Sequence, residues 1–262
     1  MYMFQIYSTE IHRMTCNFQP PKNPKFPSPT SNIQLLKSQL LLYLCALIMA
    51  KRKLQQFAEF KELDKTFDFP YDMKGKWKQD VFQNDNPLVL ELGCGKGEYT
   101  VALSKQYPEK NFLGIDIKSN RMWRGALTAK ELGITNAGFI RMIINNLTAI
   151  FDEAEVDEIW ITFPDPFPKD RHAKHRLTSS TFLPLYKQVL KPGGVVNFKT
   201  DDTPLFEYSL EVLKEHNITP QEVNWDVHGN SDSHPHLREI RTYYENKFAA
   251  QGRTIKYLRF TF

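Results

Sequence analysis

Residues 163–176, FPDPFPKDRHAKHR, place one acidic side chain between two prolines and follow it with a run of basic side chains. Proline fixes its own φ and disfavours the helical conformation in the residue before it. Asp165 is therefore held with little freedom between Pro164 and Pro166. A rigid carboxylate can orient a substrate and stabilise positive charge that develops during a reaction. We take Asp165 as the candidate catalytic residue.

The side chains that follow are cationic and polar, in a segment too polar and too rich in proline to belong to a core. Such a segment is suited to the phosphates of a nucleic acid. The alternative is a solvated loop that happens to be basic. The members of this basic segment are Lys169, Arg171, His172, Lys174, His175 and Arg176.

A glycine-rich turn stands earlier in the chain, in LELGCGKGEY, where Gly93, Gly95 and Gly97 directly follow an apolar run. Glycine lets the backbone turn tightly and approach a ligand. The spacing is GxGxG, and Glu98 stands where the dinucleotide fingerprint GxGxxG requires its third glycine. This difference argues against NAD. Asp116 ends the next apolar run, 19 residues after Gly97, where a carboxylate accepts hydrogen bonds from ribose hydroxyls.

Glu91 adds a second carboxylate close to the glycine turn. Two acidic groups would repel phosphates and favour a cationic ligand. S-adenosylmethionine fits this requirement, because it combines a ribose diol with an amino group and a positive sulfonium and has no phosphate. Asn145 and Asn146 follow the third apolar run. A side-chain amide at this place could contact the adenine ring; the alternative is that the two asparagines only form a turn.

The elements that must position these residues alternate between strand and helix from residue 88 onward, as in a doubly wound parallel α/β sheet. We predict five parallel strands, at residues 88–92, 111–116, 137–142, 158–163 and 194–200. Helices are expected at residues 98–107, 119–133, 178–190 and 204–216. Residues 255–262 are expected to form a late strand, antiparallel to the fifth. Ligands of such sheets bind beyond the carboxyl ends of the strands.

The whole chain has 262 residues, a net charge of +4 and 41% hydrophobic residues, which is typical of a globular protein with one main domain. Three widely spaced cysteines give neither a disulfide framework nor a metal-ligand spacing, and they favour the reducing cytoplasm. Residues 40–50 are apolar, but the run is about half of the roughly 20 residues that a membrane-spanning helix needs.

The domain boundaries are expected at residues 48 and 87. Residues 1–48 contain a proline-rich stretch and are expected to be a disordered or non-native extension, with Met49 as the biological start; a membrane-surface anchor is the alternative. Residues 49–87 are expected to face the nucleic acid, and residues 88–262 to form the cofactor-binding domain.

The motifs PDPxPKxRHxKxR, LELGCGKGEY, FKTDD and TYYENKF together resemble the bacterial tRNA (guanine-N7-)-methyltransferase family. The resemblance covers residues 88–262 and extends more weakly back to residue 51. It implies the Rossmann-like class I methyltransferase fold, with a mostly parallel seven-stranded sheet. It also implies methyl transfer from S-adenosylmethionine to N7 of the guanosine at position 46, in the variable loop of tRNA.

The resemblance further implies roles for individual residues. Those expected to bind the cofactor are Glu91, Gly93, Gly95, Gly97, Asp116, Asn145 and Asp165. Those expected to bind tRNA and its target nucleotide are Lys169, Arg171, His172, Lys174, Arg176, Asp201, Thr242, Tyr243, Tyr244 and Glu245. Two positions depart from the family pattern: Asn145 stands where an acidic residue is common, and His175 where arginine is usual.

Other functions remain open at this point. An exocyclic-amine methyltransferase would need a second proline where Phe167 stands, and a non-catalytic tRNA-binding protein would not need the acidic cofactor residues. His234 and His236 lack further ligands at metal spacing, so an ordinary loop and no metal site are expected there. The expected partner is tRNA, without a membrane, for a cytoplasmic monomer or homodimer.

Overall fold

The computed structural model describes residues 29–230 and 234–262, with side chains from residue 38 onward except those of residues 235–236. The chain divides into two units, residues 1–51 and 52–262. Helix α1 (Pro29–Glu62) contains the described residues of the first unit and the first residues of the second. The boundary predicted at residue 48 falls inside α1, and residues 1–28 lie outside the described part. Across the described chain, no helix has the length and hydropathy to cross a bilayer.

The second unit contains one sheet whose strands lie in the order β1-β4-β3-β2-β5-β6-β8-β7. Among the strands of the described residues, β8 runs opposite to the other seven, so that it pairs antiparallel with both β6 and β7. The strands are β1 (Thr66–Asp68), β2 (Leu88–Leu92), β3 (Asn111–Asp116), β4 (Ala137–Arg141), β5 (Val156–Thr162), β6 (Leu190–Thr200), β7 (Pro220–Asn224) and β8 (Lys256–Thr261).

Helices lie between most successive strands along the chain. They are α2 (Glu98–Gln106), α3 (Ser119–Glu131), α4 (Leu147–Ile150), α5 (Leu183–Val189), α6 (Thr203–Glu215), α7 (Pro235–Glu239) and α8 (Tyr243–Ala249). A π-helical turn spans Trp77–Phe82, and 3₁₀ turns span Ile144–Asn146 and Asp170–His175. The prediction of an ordinary loop around His234 and His236 is wrong in part, because α7 begins at Pro235.

The sequence prediction of five parallel strands and a late antiparallel strand is confirmed. The predicted total of seven strands is wrong, since the described sheet has eight. The two strands that were not predicted lie at the sheet edges. Strand β1 has three residues, too few for periodicity to show, and β7 begins with a proline and is largely polar.

The central strands are buried on both faces, as expected for parallel strands covered by helices on each side. Every residue of β2 is buried, including one acidic side chain, Glu91. Buried polar side chains also stand near the carboxyl ends of β5 and β6, at Thr162 and Lys199. Because burying polar groups costs free energy unless they are paired, this edge of the sheet is where a functional site is expected.

Candidate functional site

The site lies where the strand order reverses. From β2 the chain builds outward through β3 and β4, and it then returns to place β5 on the other side of β2. Such a switch point leaves a crevice beyond the carboxyl ends of the strands. A cleft of about 620 Å³ occupies this place. The predicted site residues that line it are Glu91, Gly93, Gly95, Asp116, Asn145, Asp165, Asp201, Thr242 and Tyr244.

A second cleft of about 640 Å³ is lined by residues that precede strands β2, β3 and β4, among them Asn86, Pro108 and Asn136. It therefore lies at the amino ends of the strands. Ligands of doubly wound sheets bind at the carboxyl ends. We assign the functional site to the first cleft, which is also lined by the nine predicted site residues named above.

Glu91 links three elements at the bottom of the cleft. One carboxylate oxygen accepts hydrogen bonds from the backbone N–H of Thr100, at 2.8 Å, and from the Thr100 hydroxyl. The other accepts from the Thr162 hydroxyl at 2.7 Å. Burial raises the pKa of Glu91 to about 7, although these hydrogen bonds oppose the change. The side chain thus ties β2 to the start of α2 and to the end of β5.

The glycine turn has the backbone geometry that glycine favours, with φ of +74° at Gly93, +58° at Gly95 and +70° at Gly97. A Cβ added at Gly95 would meet no atom within 4 Å, which leaves this part of the turn open to a ligand. Gly97 does not line the cleft: a Cβ there would lie 2.3 Å from the ring of Phe139. Gly97 allows α2 to pack closely, and its predicted contact with the cofactor stays a prediction.

Asp116 is fixed by the turn that it faces. Its two carboxylate oxygens accept hydrogen bonds from the backbone N–H groups of Gly95, at 3.0 Å, and Lys118, at 2.8 Å. Each oxygen keeps a lone pair for a ligand hydroxyl. Asn145 also lines the cleft, whereas the amide of Asn146 donates to the Tyr71 hydroxyl at 3.0 Å. Of the two asparagines left open by the sequence, Asn145 is the one placed to meet a ligand.

Tyr99 supplies a further sign of a ligand. Its side chain is fully buried and lines the cleft, yet its hydroxyl has no hydrogen-bond partner among the described residues. An unpaired buried hydroxyl is costly, and such groups are often satisfied by a bound molecule. Together with three carboxylates, those of Glu91, Asp116 and Asp165, this lining suits a cation that also offers hydrogen-bonding groups and carries no phosphate.

The Pro-Asp-Pro loop, residues 163–167, leaves β5 beside the glycine turn. Two of its residues that are not glycine have left-handed backbones, with φ of +48° at Phe163 and +44° at Phe167. Such conformations cost about 1–3 kcal/mol each and persist only where surrounding contacts enforce them. One such contact is the hydrogen bond from the Phe163 N–H to the Lys199 carbonyl, at 2.8 Å. Asp165, between these residues, is exposed and lines the cleft.

The basic segment follows as the 3₁₀ turn Asp170–His175. Lys169, Arg171 and Lys174 are exposed, as a surface for phosphates requires. His172 is partly exposed and His175 is exposed. His175 lines the cleft, with its ring centroid 5.7 Å from that of Phe167. Arg176 is different, since its guanidinium group donates to carbonyl oxygens of the Pro-Asp-Pro loop.

Part of the cleft lining is aromatic. We call Phe163, Tyr244 and Phe248 the aromatic wall; all three line the cleft. Phe248 lies 6.0 Å from Tyr244 and 6.5 Å from Phe163, measured between ring centroids. Tyr244 is about half exposed. Exposed aromatic faces of this kind stack on nucleobases.

Helix α8 carries two members of this wall, and it is held by a side-chain cap and a buried ion pair. Thr242 caps the helix by accepting a hydrogen bond from the Glu245 N–H at 3.2 Å. Glu245 is fully buried and paired with Lys199 at 2.8 Å, and His228 also contacts its carboxylate, at 2.9 Å. Burial lowers the pKa values of Lys199 and His228. Glu245 thus holds α8 in place, and its predicted contact with the target nucleotide stays a prediction.

Tyr243 and Asp201 are held by their own contacts. The N–H of Tyr243 donates to Glu98 at 2.7 Å, and its exposed ring packs against the ammonium of Lys96, at 4.9 Å. The carboxylate of Asp201 is paired at 2.7 Å with Arg253. Tyr243 lies outside the cleft lining, while Asp201 and Arg253 are part of it.

Sequence reasoning missed several side chains of the site. Tyr99, Thr162, Phe248 and Arg253 were not predicted to belong to it. Tyr99 ends the motif LELGCGKGEY, and Thr162 lies two residues before the motif PDPxPKxRHxKxR, so their positions were usable signals. Phe248 ends the motif TYYENKF on α8, and Arg253 follows that helix; both reach the cleft through tertiary packing, which the local sequence does not reveal.

Comparisons with known proteins agree with this geometry. A family model described as a putative methyltransferase matches residues 85–258. The crystal structure of the 16S rRNA methyltransferase KamB aligns with a TM-score of 0.55, at 14% identity over 70% of this chain and 91% of that one. The structure of an antibiotic-related methyltransferase aligns with a TM-score of 0.52, at 16% identity over 70% of this chain and 90% of that one. The fold is that of the class I methyltransferases.

Similar sequences narrow this class. A tRNA (guanine-N(7)-)-methyltransferase of Christiangramia forsetii is 44% identical over 219 residues, which cover 80% of this chain and 98% of that protein. A protein of the same description from Porphyromonas gingivalis is 46% identical over 190 residues, or 72% of this chain and 77% of that protein. The chain belongs to the tRNA (guanine-N7-)-methyltransferase family.

Proposed function

We propose that this protein transfers a methyl group to N7 of a guanosine in tRNA, at position 46 of the variable loop. The observation that carries the proposal is the meeting of three features in one cleft. These are an acidic cofactor side, a carboxylate on a proline-braced loop and an aromatic wall. The basic segment lies at the edge of the same cleft, on the side where an RNA would approach.

S-adenosylmethionine is the methyl donor, and when bound it supplies a methyl group on a positively charged sulfur. The acidic lining fits this cation. Asp116 would accept hydrogen bonds from the ribose hydroxyls, and Asn145 would contact the adenine ring. Glu91 offers negative charge for the donor's ammonium group. Gly93 and Gly95 allow the backbone to approach the donor without an intervening Cβ.

Asp165 would orient the purine ring and stabilise positive charge. N7 of guanine carries an in-plane lone pair and no proton, so it can attack a methyl group without a general base. Positive charge passes to the purine ring as the bond forms, and a fixed carboxylate beside the ring lowers the energy of that transition state. The Pro-Asp-Pro loop holds this carboxylate before the substrate arrives, so little reorganisation is needed. Alignment of the reacting atoms contributes about 7–11 kcal/mol in well-oriented systems.

Two groups of residues would bind the substrate, namely the aromatic wall and the exposed residues of the basic segment. Tyr244 and Phe248 offer faces on which the target base can stack. Lys169, Arg171 and Lys174 are exposed and would contact backbone phosphates, which position an RNA without reading its sequence. We propose that the protein acts in the cytoplasm as a monomer or homodimer, without a metal ion.

The test is to incubate the purified protein with tritiated S-adenosylmethionine and unmodified tRNA and to identify the labelled nucleoside by chromatography. We expect 7-methylguanosine, lost when guanosine 46 is replaced by adenosine. Label in another nucleoside would indicate methylation of a different RNA base. Tight tRNA binding without transfer, and without binding of the donor, would indicate a non-catalytic tRNA-binding protein.

A further inference from the structure

The side chain of Arg176 is hydrogen-bonded to the last two residues of the Pro-Asp-Pro loop. Its Nε donates to the carbonyl oxygens of Pro166, at 3.2 Å, and Phe167, at 3.3 Å. Its Nη2 donates to the Phe167 carbonyl at 3.0 Å. The guanidinium lies over the ring of Tyr208 on helix α6, with 4.3 Å between its central carbon and the ring centroid. Both the edge and the face of this planar group are therefore used inside the protein.

The backbone around Arg176 is fixed as well. Its N–H donates to the Ala173 carbonyl at 3.0 Å, and its carbonyl accepts from the Ser179 N–H at 2.9 Å. The neighbouring Leu177 carbonyl accepts from the buried hydroxyl of Tyr186 at 2.8 Å. Arg176 thus extends from an anchored part of the chain, and Tyr208 extends from a helix packed on the core.

The residue that Arg176 holds is one that needs support. Phe167 has a φ of +44°, a left-handed backbone that is unfavourable for an aromatic residue. Its carbonyl accepts two of the three hydrogen bonds from the guanidinium. Phe167 stands two residues after Asp165, with only Pro166 between them. A change of backbone conformation at Phe167 would therefore move the Asp165 carboxylate within the cleft.

We infer that Arg176 is a positioning residue, which clamps the Pro-Asp-Pro loop so that Asp165 keeps its place beside the reacting atoms. The inference rests on the proposed function, because it assigns Arg176 to the reaction step and not to tRNA binding. A basic residue at the end of a cationic segment would otherwise be taken as a phosphate contact. The clamp depends on the planar, multidentate shape of guanidinium, whereas a phosphate contact depends mainly on charge.

This difference makes lysine the decisive substitution. Arg176→Lys keeps the positive charge, but its single ammonium cannot reproduce the bonds to both carbonyls or the stacking on Tyr208. Arg171, on the same basic segment, is exposed and serves as the matched control. We expect Arg171→Lys to retain most tRNA affinity, and Arg171→Ala to weaken tRNA binding with a shallower salt dependence.

The experiment measures kcat, tRNA affinity against salt concentration, donor affinity, and amide hydrogen exchange of residues 163–176 for both pairs of variants. For Arg176→Lys we expect faster exchange in this segment and a kcat about 100-fold lower, the cost of misplacing a reacting group by about 1 Å. Donor affinity and the salt slope of tRNA binding should stay at the wild-type values, which also shows that the variant is folded.

Two results would overturn the clamp. One is wild-type kcat and wild-type exchange in Arg176→Lys. The other is a loss confined to tRNA affinity in Arg176→Ala that lysine restores. Failure of the proposed function looks different, since the wild-type protein would then not methylate tRNA, while hydrogen exchange would still report whether Arg176 holds the loop.

Discussion

Glu91 is a buried carboxyl group whose replacement should leave a specific signature in the pH dependence of stability. The perturbation is Glu91→Gln, which keeps the size of the side chain and removes its ionisation. Burial raises the pKa of Glu91 from 4.5 to about 7. The folded protein therefore holds a proton on this side chain over a range of pH in which the unfolded chain has released it.

The magnitude follows from linkage. The contribution of Glu91 to stability is fully present below pH 4.5 and is lost as the pH rises through about 7, because unfolding releases the proton only within this range. At about 1.4 kcal/mol for each pH unit, the whole loss over about 2.5 pH units is about 3–4 kcal/mol. Between about pH 5 and pH 8 it is about 2–3 kcal/mol.

The assay is urea denaturation of the wild type and Glu91→Gln at several pH values, with Glu109→Gln as the control at an exposed position. The difference in free energy of unfolding between wild type and Glu91→Gln cancels the other titrating groups. We expect it to shift by about 2–3 kcal/mol in favour of the variant from about pH 5 to pH 8. A difference that stays constant with pH would refute the reasoning.

The protonation of Glu91 can be tested independently by measuring proton release on donor binding. If the Glu91 carboxylate faces the donor's ammonium, binding at pH 7 should release about half a proton, because the free site is about half protonated there. Calorimetry in two buffers of different ionisation enthalpy measures this release. Glu91→Gln should release none.

Three further predictions concern other parts of the site. Gly97→Ala should cost at least about 2 kcal/mol more than Gly133→Ala in urea denaturation, because both have a left-handed backbone but only the first adds a clash with Phe139; equal costs would contradict the packing role. Lys174→Ala should lower the salt slope of tRNA binding by about one, and an unchanged slope would leave the basic segment as a solvated surface. Tyr99→Phe should raise the free energy of unfolding by about 1 kcal/mol while weakening donor binding, since it removes an unpaired buried hydroxyl; donor affinity at the wild-type value would show that the hydroxyl does not contact the donor.

Local patterns predicted the parts of the fold that depend on local physics. Strand β2 and the glycine turn after it are contiguous in the chain, as are β5 and the Pro-Asp-Pro loop. Strands of this kind read as apolar runs because both faces are buried. Strands β1 and β7 were missed because edge strands are short and polar and take their conformation from the neighbouring strand.

The cofactor side of the site was easier to predict than the substrate side. Asp116 lies 19 residues after Gly97 in the sequence, at the end of β3. This spacing is predictable because a doubly wound sheet places one helix and one strand after the glycine turn. Arg253 and Phe248 reach the cleft only through tertiary packing. The interaction partners of Glu245 and Arg176 could not be predicted from the sequence. Glu245 is buried and paired with Lys199, and Arg176 donates hydrogen bonds to the backbone of the Pro-Asp-Pro loop.

The most direct test of the central claim is single-turnover methylation of tRNA by Asp165→Asn. Asparagine preserves the shape of the side chain and removes its negative charge. We expect the rate of methyl transfer to fall by about 10²–10³-fold, with tRNA affinity unchanged and donor binding retained, because the charge acts mainly in the transition state. A near-normal rate with the donor still bound would contradict the role assigned to Asp165.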